Sequence, residues 1–182
     1  PGLAGQENYP NFIMTDRGGV TNLLAMPYGD GIAISATNRG KKAIGGIGVT
    51  VSVEPATGRS QAEIAQRMRL RGVFQPEGGK DLIHRSGTGR WVGLVYRQPV
   101  GEPMGVESLL VDGKPAAGWT GPMDGFLGQG GDFRKCLSGR HGELCWRYLI
   151  MEAVDFEKSL VLKGTGDNAG SRLALFYMTK DL

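Results

Sequence analysis

Three carboxylates in the last third of the chain are of the residue type that acid–base chemistry needs. Asp124 and Asp132 belong to the stretch 119–133, WTGPMDGFLGQGGDF, and Glu143 follows shortly after it. In such chemistry one carboxyl group holds and donates a proton, while a second attacks or acts as a base. Asp124 and Glu143 are the catalytic candidates. For each residue alone, a solvated or hydrogen-bonded surface carboxylate is the favoured alternative.

The stretch 119–133 is also a candidate binding loop. Six of its fifteen residues are glycine or proline, which excludes a regular helix or a central strand. Trp119 and Phe126 are candidate aromatic contacts for a ligand, and Asp124 or Asp132 can accept hydrogen bonds from it. Loops of this length in compact domains are more often functional than filler. The alternative is a surface crossover whose aromatic side chains dock on the core.

Cys136 and Cys145 flank His141, with Asp132 just upstream. A zinc site needs four convergent ligands, and this spacing is not a familiar zinc motif. A disulfide would close a loop of about ten residues and stabilise the fold by roughly 2.5–3 kcal/mol. Two reduced, partly buried thiols are an equally good interpretation in a reducing compartment. The sequence therefore predicts no metal and no other cofactor.

Composition limits the classes of protein to which this chain can belong. A chain of 182 residues that is 40% hydrophobic suits a single folded domain. No apolar run approaches the roughly 18 residues that a membrane helix needs, and no targeting segment is recognisable, so we expect a soluble protein without a membrane partner. Arg67, Arg69 and Arg71 alternate without interleaved aromatics, which argues against a nucleic-acid partner. No feature points to a particular compartment.

The 31 glycines and 9 prolines favour many short strands joined by tight turns. Ser60–Glu63 has the pattern of a helix N-terminus, and Asp112-Gly113 that of a two-residue hairpin turn. Roughly eight to ten strands are expected from the spacing of turn signals. The clearest runs are 20–26, 32–36, 47–53, 90–96, 108–111, 145–150, 159–162 and 172–178.

The run 47–53 shows the best alternation, because Ile47, Val49, Val51 and Val53 share one side of an extended chain. That pattern predicts a strand with one buried face. The expected fold class is all-β, an antiparallel β-sandwich of jelly-roll type with one or two short helices. Residues 1–19 are expected to form an N-terminal arm and residues 20–182 a single jelly-roll domain.

Five blocks of the sequence, in the same order, resemble the second half of the proteins of glycoside hydrolase family 172. The blocks are 23–40 (LLAMPYGDGIAISATNRG), 69–96, 109–126 (LLVDGKPAAGWTGPMDGF), 145–162 (CWRYLIMEAVDFEKSLVL) and 171–178 (SRLALFYM). The resemblance implies a double jelly roll that assembles as trimers or higher multiples. It also implies action on fructofuranose- or arabinofuranose-containing glycans through a pair of glutamates.

This chain is long enough for one jelly roll, so the resemblance implies a partner that supplies another. Either the chain forms a homo-oligomer, a trimer or a hexamer, or a separate subunit carries the first roll. A carbohydrate ligand is expected on the same grounds.

The chain departs from the family in the binding loop. The family's Gly-Thr-Gly-Thr-Glu-Asp-Tyr-Phe aligns with 119–126, where Met123 takes the glutamate position and Gly125 the tyrosine position. A thioether has no transferable proton and is a poor base. The resemblance therefore implies a degenerate subunit that binds carbohydrate or builds an assembly. The alternative is an active hydrolase that uses other carboxylates or residues of a partner chain. The matching positions are Thr120, Gly121, Asp124 and Phe126.

Overall fold

A computed structural model describes the chain in residues 13–16, 19–22, 24–28, 31–35, 37–38, 40–43, 45–53, 55, 68–97, 105–122, 138–141, 143–149, 152–166 and 170–179. These residues contain thirteen strands and no helix, so the predicted all-β class is confirmed. The helix predicted at Ser60–Glu63 lies outside the described residues. The strands are β1 (Ile13–Asp16), β2 (Gly19–Asn22), β3 (Met68–Gln75), β4 (Asp81–Ser86), β5 (Gly89–Arg97), β6 (Gly105–Val111), β7 (Lys114–Ala116), β8 (Gly121–Pro122), β9 (Ser138–His141), β10 (Leu144–Tyr148), β11 (Val154–Phe156), β12 (Ser159–Gly164) and β13 (Arg172–Thr179).

The strands form two principal antiparallel sheets. The larger has the order β3-β13-β5-β10-β9, with β11 pairing the start of β5 beyond β10. The smaller has the order β4-β12-β6-β7, with β8 pairing the start of β6. Separately, β1 and β2 form a two-stranded sheet that begins within the predicted N-terminal arm. The strands predicted from 90, 108, 145, 159 and 172 onward are confirmed as β5, β6, β10, β12 and β13.

One hydrophobic core joins the two sheets in the arrangement of a β-sandwich. On β12 the alternation is simple, since Leu160 and Leu162 are fully buried while Val161 and Lys163 are partly exposed. Each such leucine contributes about 1.5–3 kcal/mol relative to an exposed one. The largest fully buried side chains of the core are Trp91, Tyr96, Phe176, Leu82, Ile83, Leu94, Leu109, Leu149, Leu160 and Leu162.

The larger sheet is also apolar on its outer face. Along β13, Ala174 and Phe176 belong to the core, whereas Leu175 between them belongs to a second buried cluster, so the two sets lie on opposite faces. Leu24 packs into this second cluster. The Tyr177 hydroxyl donates to the carbonyl oxygen of Ala25 at 2.7 Å, and burial raises the pKa of Tyr177. Leu24 and Ala25 therefore cover part of this outer face of the larger sheet.

The predicted hairpin at Asp112-Gly113 is confirmed as the β6–β7 turn. Both residues have positive φ, 52° and 79°, as a type I′ turn requires. The Asp112 carboxylate also accepts hydrogen bonds from three successive backbone amides, those of Glu157, Lys158 and Ser159. These bonds, above all those from the amides of Ser159 and Lys158, hold the pKa of Asp112 below its ordinary value.

Arg172, at the start of β13, is a charged residue in the interior, with 5% of its surface exposed. Burial lowers the pKa of its guanidinium, which nevertheless stays protonated at neutral pH. Its nitrogens donate to one side-chain amide and five backbone carbonyls, which ties the β3–β4 connection to β13. The acceptors are Gln75, Pro76, Gly78, Asp81, Leu82 and Gly170, at 2.6–3.2 Å.

Three of the strand predictions in the N-terminal third are corrected by the structure. The segments 31–35 and 47–53 form no strand, and the strand predicted at 20–26 ends at Asn22 in β2. The four apolar side chains of 47–53 are 43–60% exposed instead of buried. Alternation indicates which side chains share a face, but burial requires a partner surface, and no described strand pairs with this segment.

Candidate functional site

Trp119 lies in the connection between β7 and β8, two short strands that both pair with β6. Its half-buried ring packs on the edge of the core, with its centroid 5.6 Å from that of Trp91 at a tilt of 44°. The guanidinium carbon of Arg147 lies 5.6 Å from the Trp119 ring centroid. Arg147 in turn donates to the Glu152 carboxylate at 2.6 Å.

These four residues form the aromatic–ionic cluster: Trp91, Trp119, Arg147 and Glu152. Trp91 is fully buried, while Glu152 is exposed, so the cluster runs from the core to the surface. An aromatic ring beside a guanidinium and a carboxylate has the chemistry of a sugar-binding surface. Among the described residues the cluster contains one carboxylate, whereas glycoside hydrolysis by the usual route needs two.

Sequence reasoning selected Trp119 for this cluster but not Arg147 or Glu152. Arg147 could have been recognised from its place in β10, between Trp146 and Tyr148, which are both buried. In an alternating strand, Arg147 shares the side of Cys145, which faces the core. An arginine on a core-facing side requires a partner, and the partners could have been sought among nearby aromatics and carboxylates.

Glu143, the second catalytic candidate, sits in the turn between β9 and β10. Its Oε2 accepts a hydrogen bond from Nε of Arg97 at 2.9 Å, and both side chains are more than one-third exposed. Exposed pairs of this kind contribute about 0–1 kcal/mol.

The other predicted site residues, Asp124, Phe126 and Asp132, lie outside the described residues, as does Met123. Their positions relative to Trp119 and Glu143 therefore stay predictions. Cys136 also lies outside, so neither the disulfide nor the pair of reduced thiols is tested, and Cys145 itself is fully buried in the core. Within the described part of the chain, no three histidine, cysteine, aspartate or glutamate residues come together to hold a metal ion.

The perturbed carboxylates and cations in the described ranges serve structural contacts. Arg90 and Asp155 face each other across β5 and β11 in a two-pronged pair of 2.6 and 2.8 Å. The hydrogen bond from Arg90 lowers the pKa of Asp155, and the same bond raises the pKa of Arg90. Together with Asp112 and Arg172, these groups account for the charged side chains with shifted pKa values, and all of them join one strand or turn to another.

Comparison with protein-family models gave no match, and comparison with curated proteins gave no significant match. The resemblance to glycoside hydrolase family 172 therefore remains a prediction from the sequence blocks. Among the described residues, no helix is long and apolar enough to cross a membrane.

Proposed function

We propose that this protein is a jelly-roll subunit that builds an assembly and has lost the acid–base pair for furanoside hydrolysis. The order of the strands supports the jelly-roll part. Successive strands β3, β4, β5 and β6 alternate between the larger and smaller sheets. Later in the chain, β12 lies between β4 and β6, and β13 lies between β3 and β5. Two interleaved Greek keys would generate this order, so the strand order supports a jelly roll.

The observation that carries the assembly role is the exposed row of Ile47, Val49, Val51 and Val53. Single exposed apolar residues are ordinary, but four of them within seven residues, in a segment with no strand partner among the described residues, are not. Ile32 and Ile34, in the segment 31–35, are likewise 44% and 51% exposed. A surface of this kind favours contact with another protein chain.

The loss of catalysis is supported by two observations. Met123 stands where the resembled family carries a glutamate. Glu143, the remaining candidate with a described position, is paired with Arg97 at the surface. Without two carboxyl groups across the glycosidic bond, proton transfer to the leaving oxygen and attack on the anomeric carbon cannot both be assisted.

Sedimentation velocity at about 1–50 µM, a range that detects associations of ordinary strength, tests the assembly. We expect species larger than the 19.5 kDa chain. A single species of monomer mass over the whole range would contradict the proposal.

Hydrolysis of aryl arabinofuranosides and fructofuranosides tests the catalytic part. We expect no turnover by the unmodified chain, while gain of activity in Met123→Glu would identify a site that lost one group. The matched controls are Asp124→Asn and Glu143→Gln. Turnover by the unmodified chain that disappears in either control would establish the alternative, an active hydrolase.

Carbohydrate binding is a second candidate function, favoured by the aromatic–ionic cluster. A sugar that stacks near Trp119 would change its fluorescence and compete with the Arg147 guanidinium for the ring. Titration with arabinose and fructose oligosaccharides should then shift the emission of the unmodified chain. The same titration of Trp119→Phe should give a smaller shift, because the reporting indole ring has been removed. The two other tryptophans remain as internal references.

A further inference from the structure

The chain contains three Asp-Gly dipeptides, Asp30-Gly31, Asp112-Gly113 and Asp124-Gly125. In such a dipeptide the glycine amide nitrogen can attack the side-chain carboxyl carbon of the aspartate, because glycine has no side chain beside the attacking atom. Asp30 and Asp124 lie outside the described residues. Asp112 is described, and its contacts in the β6–β7 turn show what controls this reaction there.

The reaction gives up one water molecule and takes up another. The nitrogen of Gly113 forms a bond to Cγ of Asp112 and loses its proton, while one oxygen of the protonated carboxyl group leaves as water. The product is a five-membered succinimide ring. Water then opens this ring, and where it breaks the bond between the nitrogen and the main-chain carbonyl carbon of Asp112, the chain continues through Cγ as an isoaspartate. No oxidant, reductant or further reactant takes part.

Burial does not shield this turn from water. Gly113 is exposed, and no described atom lies within 4 Å of a Cβ added to it. Any protection in the folded chain must therefore come from the contacts that hold the Asp112 side chain.

Three backbone donors hold the Asp112 carboxylate. Its Oδ1 accepts hydrogen bonds from the nitrogen of Lys158 at 2.6 Å and from that of Ser159 at 3.0 Å. The nitrogen of Glu157 lies 3.1 Å from both carboxylate oxygens. The amide of Asp112 itself donates to the carbonyl oxygen of Ser159 at 2.8 Å, so main chain and side chain are both fixed.

These bonds oppose both requirements of the attack. The carboxyl group has to be protonated before one of its oxygens can leave as water, and its planar carbon becomes tetrahedral. Three amide donors instead favour an ionised, planar carboxylate, and the bonds from Ser159 and Lys158 contribute most to the lowered pKa of Asp112. Attack by Gly113 therefore requires that these bonds open.

The donors are themselves fixed by the β4–β5 turn. The amide of Gly87 donates to the carbonyl oxygen of Lys158 at 2.9 Å, and the Thr88 hydroxyl donates to that of Glu157 at 2.9 Å. Asp112 is thus bonded to a turn that two further contacts hold in place. Release of its carboxylate requires local unfolding at this end of the sandwich.

We propose that Asp112 is a covalent modification site that the fold keeps closed. It forms isoaspartate through Gly113 when the chain is unfolded, and its contacts with residues 157–159 prevent this reaction in the folded chain. The inference does not depend on the assembly or carbohydrate roles. Isoaspartate adds a methylene group to the main chain and moves the free carboxyl group onto the main-chain carbon, so an isomerised chain cannot rebuild the same turn.

Incubation of the unmodified chain at neutral pH, in buffer and in guanidinium chloride, tests the proposal. Electron-transfer fragmentation of peptides in a mass spectrometer distinguishes aspartate from isoaspartate, and the succinimide is lighter by one water molecule. Asp30 and Asp124 are internal references, and incubation continues until one of the three sites has reacted in the denatured chain.

We expect Asp112 to react as fast as the references in the denatured chain. In the folded chain it should react at least about tenfold more slowly, because attack occurs only in the small population of opened molecules. Equal rates at Asp112 in the two solutions would overturn the proposal. So would an unreacted Asp112 in a denatured chain whose Asp30 or Asp124 has reacted.

Lys158→Pro tests the contacts directly, because proline removes the amide that donates at 2.6 Å. Lys158→Ala is the matched control, since it loses the same side chain but keeps the amide. In buffer, Lys158→Pro should form isoaspartate at Asp112 several-fold faster than Lys158→Ala, which should match the unmodified chain. Equal rates in the two variants would overturn the role of these contacts.

Hydrogen exchange of the unmodified chain is a second measurement that needs no variant to fold. The amides of Glu157, Lys158 and Ser159 should exchange at least about tenfold more slowly than in the denatured chain, because they donate to Asp112. Exchange of all three at the denatured-chain rate would show that the bonds are open and would overturn the proposal.

Discussion

The carboxylate of Asp112 lies 2.6 Å from the backbone nitrogen of Lys158, which joins the β6–β7 hairpin to the turn between β11 and β12. The same carboxylate accepts from the amides of Glu157 and Ser159. One side chain thus satisfies three consecutive backbone donors where the chain passes from the turn after β11 into β12. In return, the turn holds Asp112 in its left-handed conformation at φ 52°.

Asp112→Asn should destabilise the fold in a pH-dependent manner. Asparagine tolerates the left-handed conformation but loses the charge that three amide donors favour. Because the folded-state pKa of Asp112 is lowered, its stabilisation is complete above the unfolded-state pKa and is lost as pH falls through the folded-state pKa. Urea denaturation should show a clear difference at pH 7 that shrinks as the pH is lowered below about 4, the ordinary range of an aspartate. A difference that stays constant as the pH is lowered would contradict this role.

Arg172→Met should lower the free energy of unfolding by about 2–4 kcal/mol. The substitution keeps an apolar stem but leaves buried carbonyl oxygens, including those of Leu82 and Gly170, without a donor. Lys114→Met, on an exposed position of β7, is the control and should change the free energy by less than about 0.5 kcal/mol. Similar denaturation midpoints for the two variants would show that water replaces the guanidinium at little cost.

Gly89→Ala should be destabilising by about 1–3 kcal/mol, as expected for an overpacked site. A Cβ at this position would come within 2.8 Å of the backbone carbonyl oxygen of Tyr177, which cannot swing away as a side-chain end can. Gly45→Ala is the control, since nothing lies within 4 Å of its added Cβ. Thermal unfolding of both variants measures the difference, and equal midpoints would contradict the close approach.

Trp119→Ala should lower the free energy of unfolding by about 1–3 kcal/mol, less than a fully buried tryptophan would. The lost contacts are those with the Trp91 ring and the Arg147 guanidinium. Trp119→Phe keeps an aromatic ring against Trp91 and should lose less than half as much. An unchanged denaturation midpoint in Trp119→Ala would indicate that this ring serves a ligand instead of the fold.

The strands of the sandwich were predictable because their signals are local. Alternating apolar residues and frequent turn residues indicated β5, β6, β10, β12 and β13 before any contact was known. The Asp112-Gly113 turn was predictable for the same reason, since positive φ angles select particular residues. In each case the pattern reflects steric preferences of neighbouring residues along the chain.

The site was less predictable because its contacts are distant in sequence. Glu143 was selected for its position after the loop, but its partner Arg97 lies 46 positions away and turns it into a surface ion pair. Trp119 was selected for its ring, but Trp91 and Arg147, on two other strands, determine how that ring packs. Residue type indicates what a side chain can do, whereas its partners decide what it does.

The sequence by itself determined the all-β class, the positions of β5, β6, β10, β12 and β13 and the type of the hairpin turn, because sterics and side-chain periodicity act between near neighbours. Only the tertiary structure decided which alternating segments are buried. The runs 47–53 and 159–164 both alternate, yet Leu160 and Leu162 are buried and the residues of 47–53 are exposed. The physical reason is that alternation creates an apolar side, while burial depends on whether another surface meets that side.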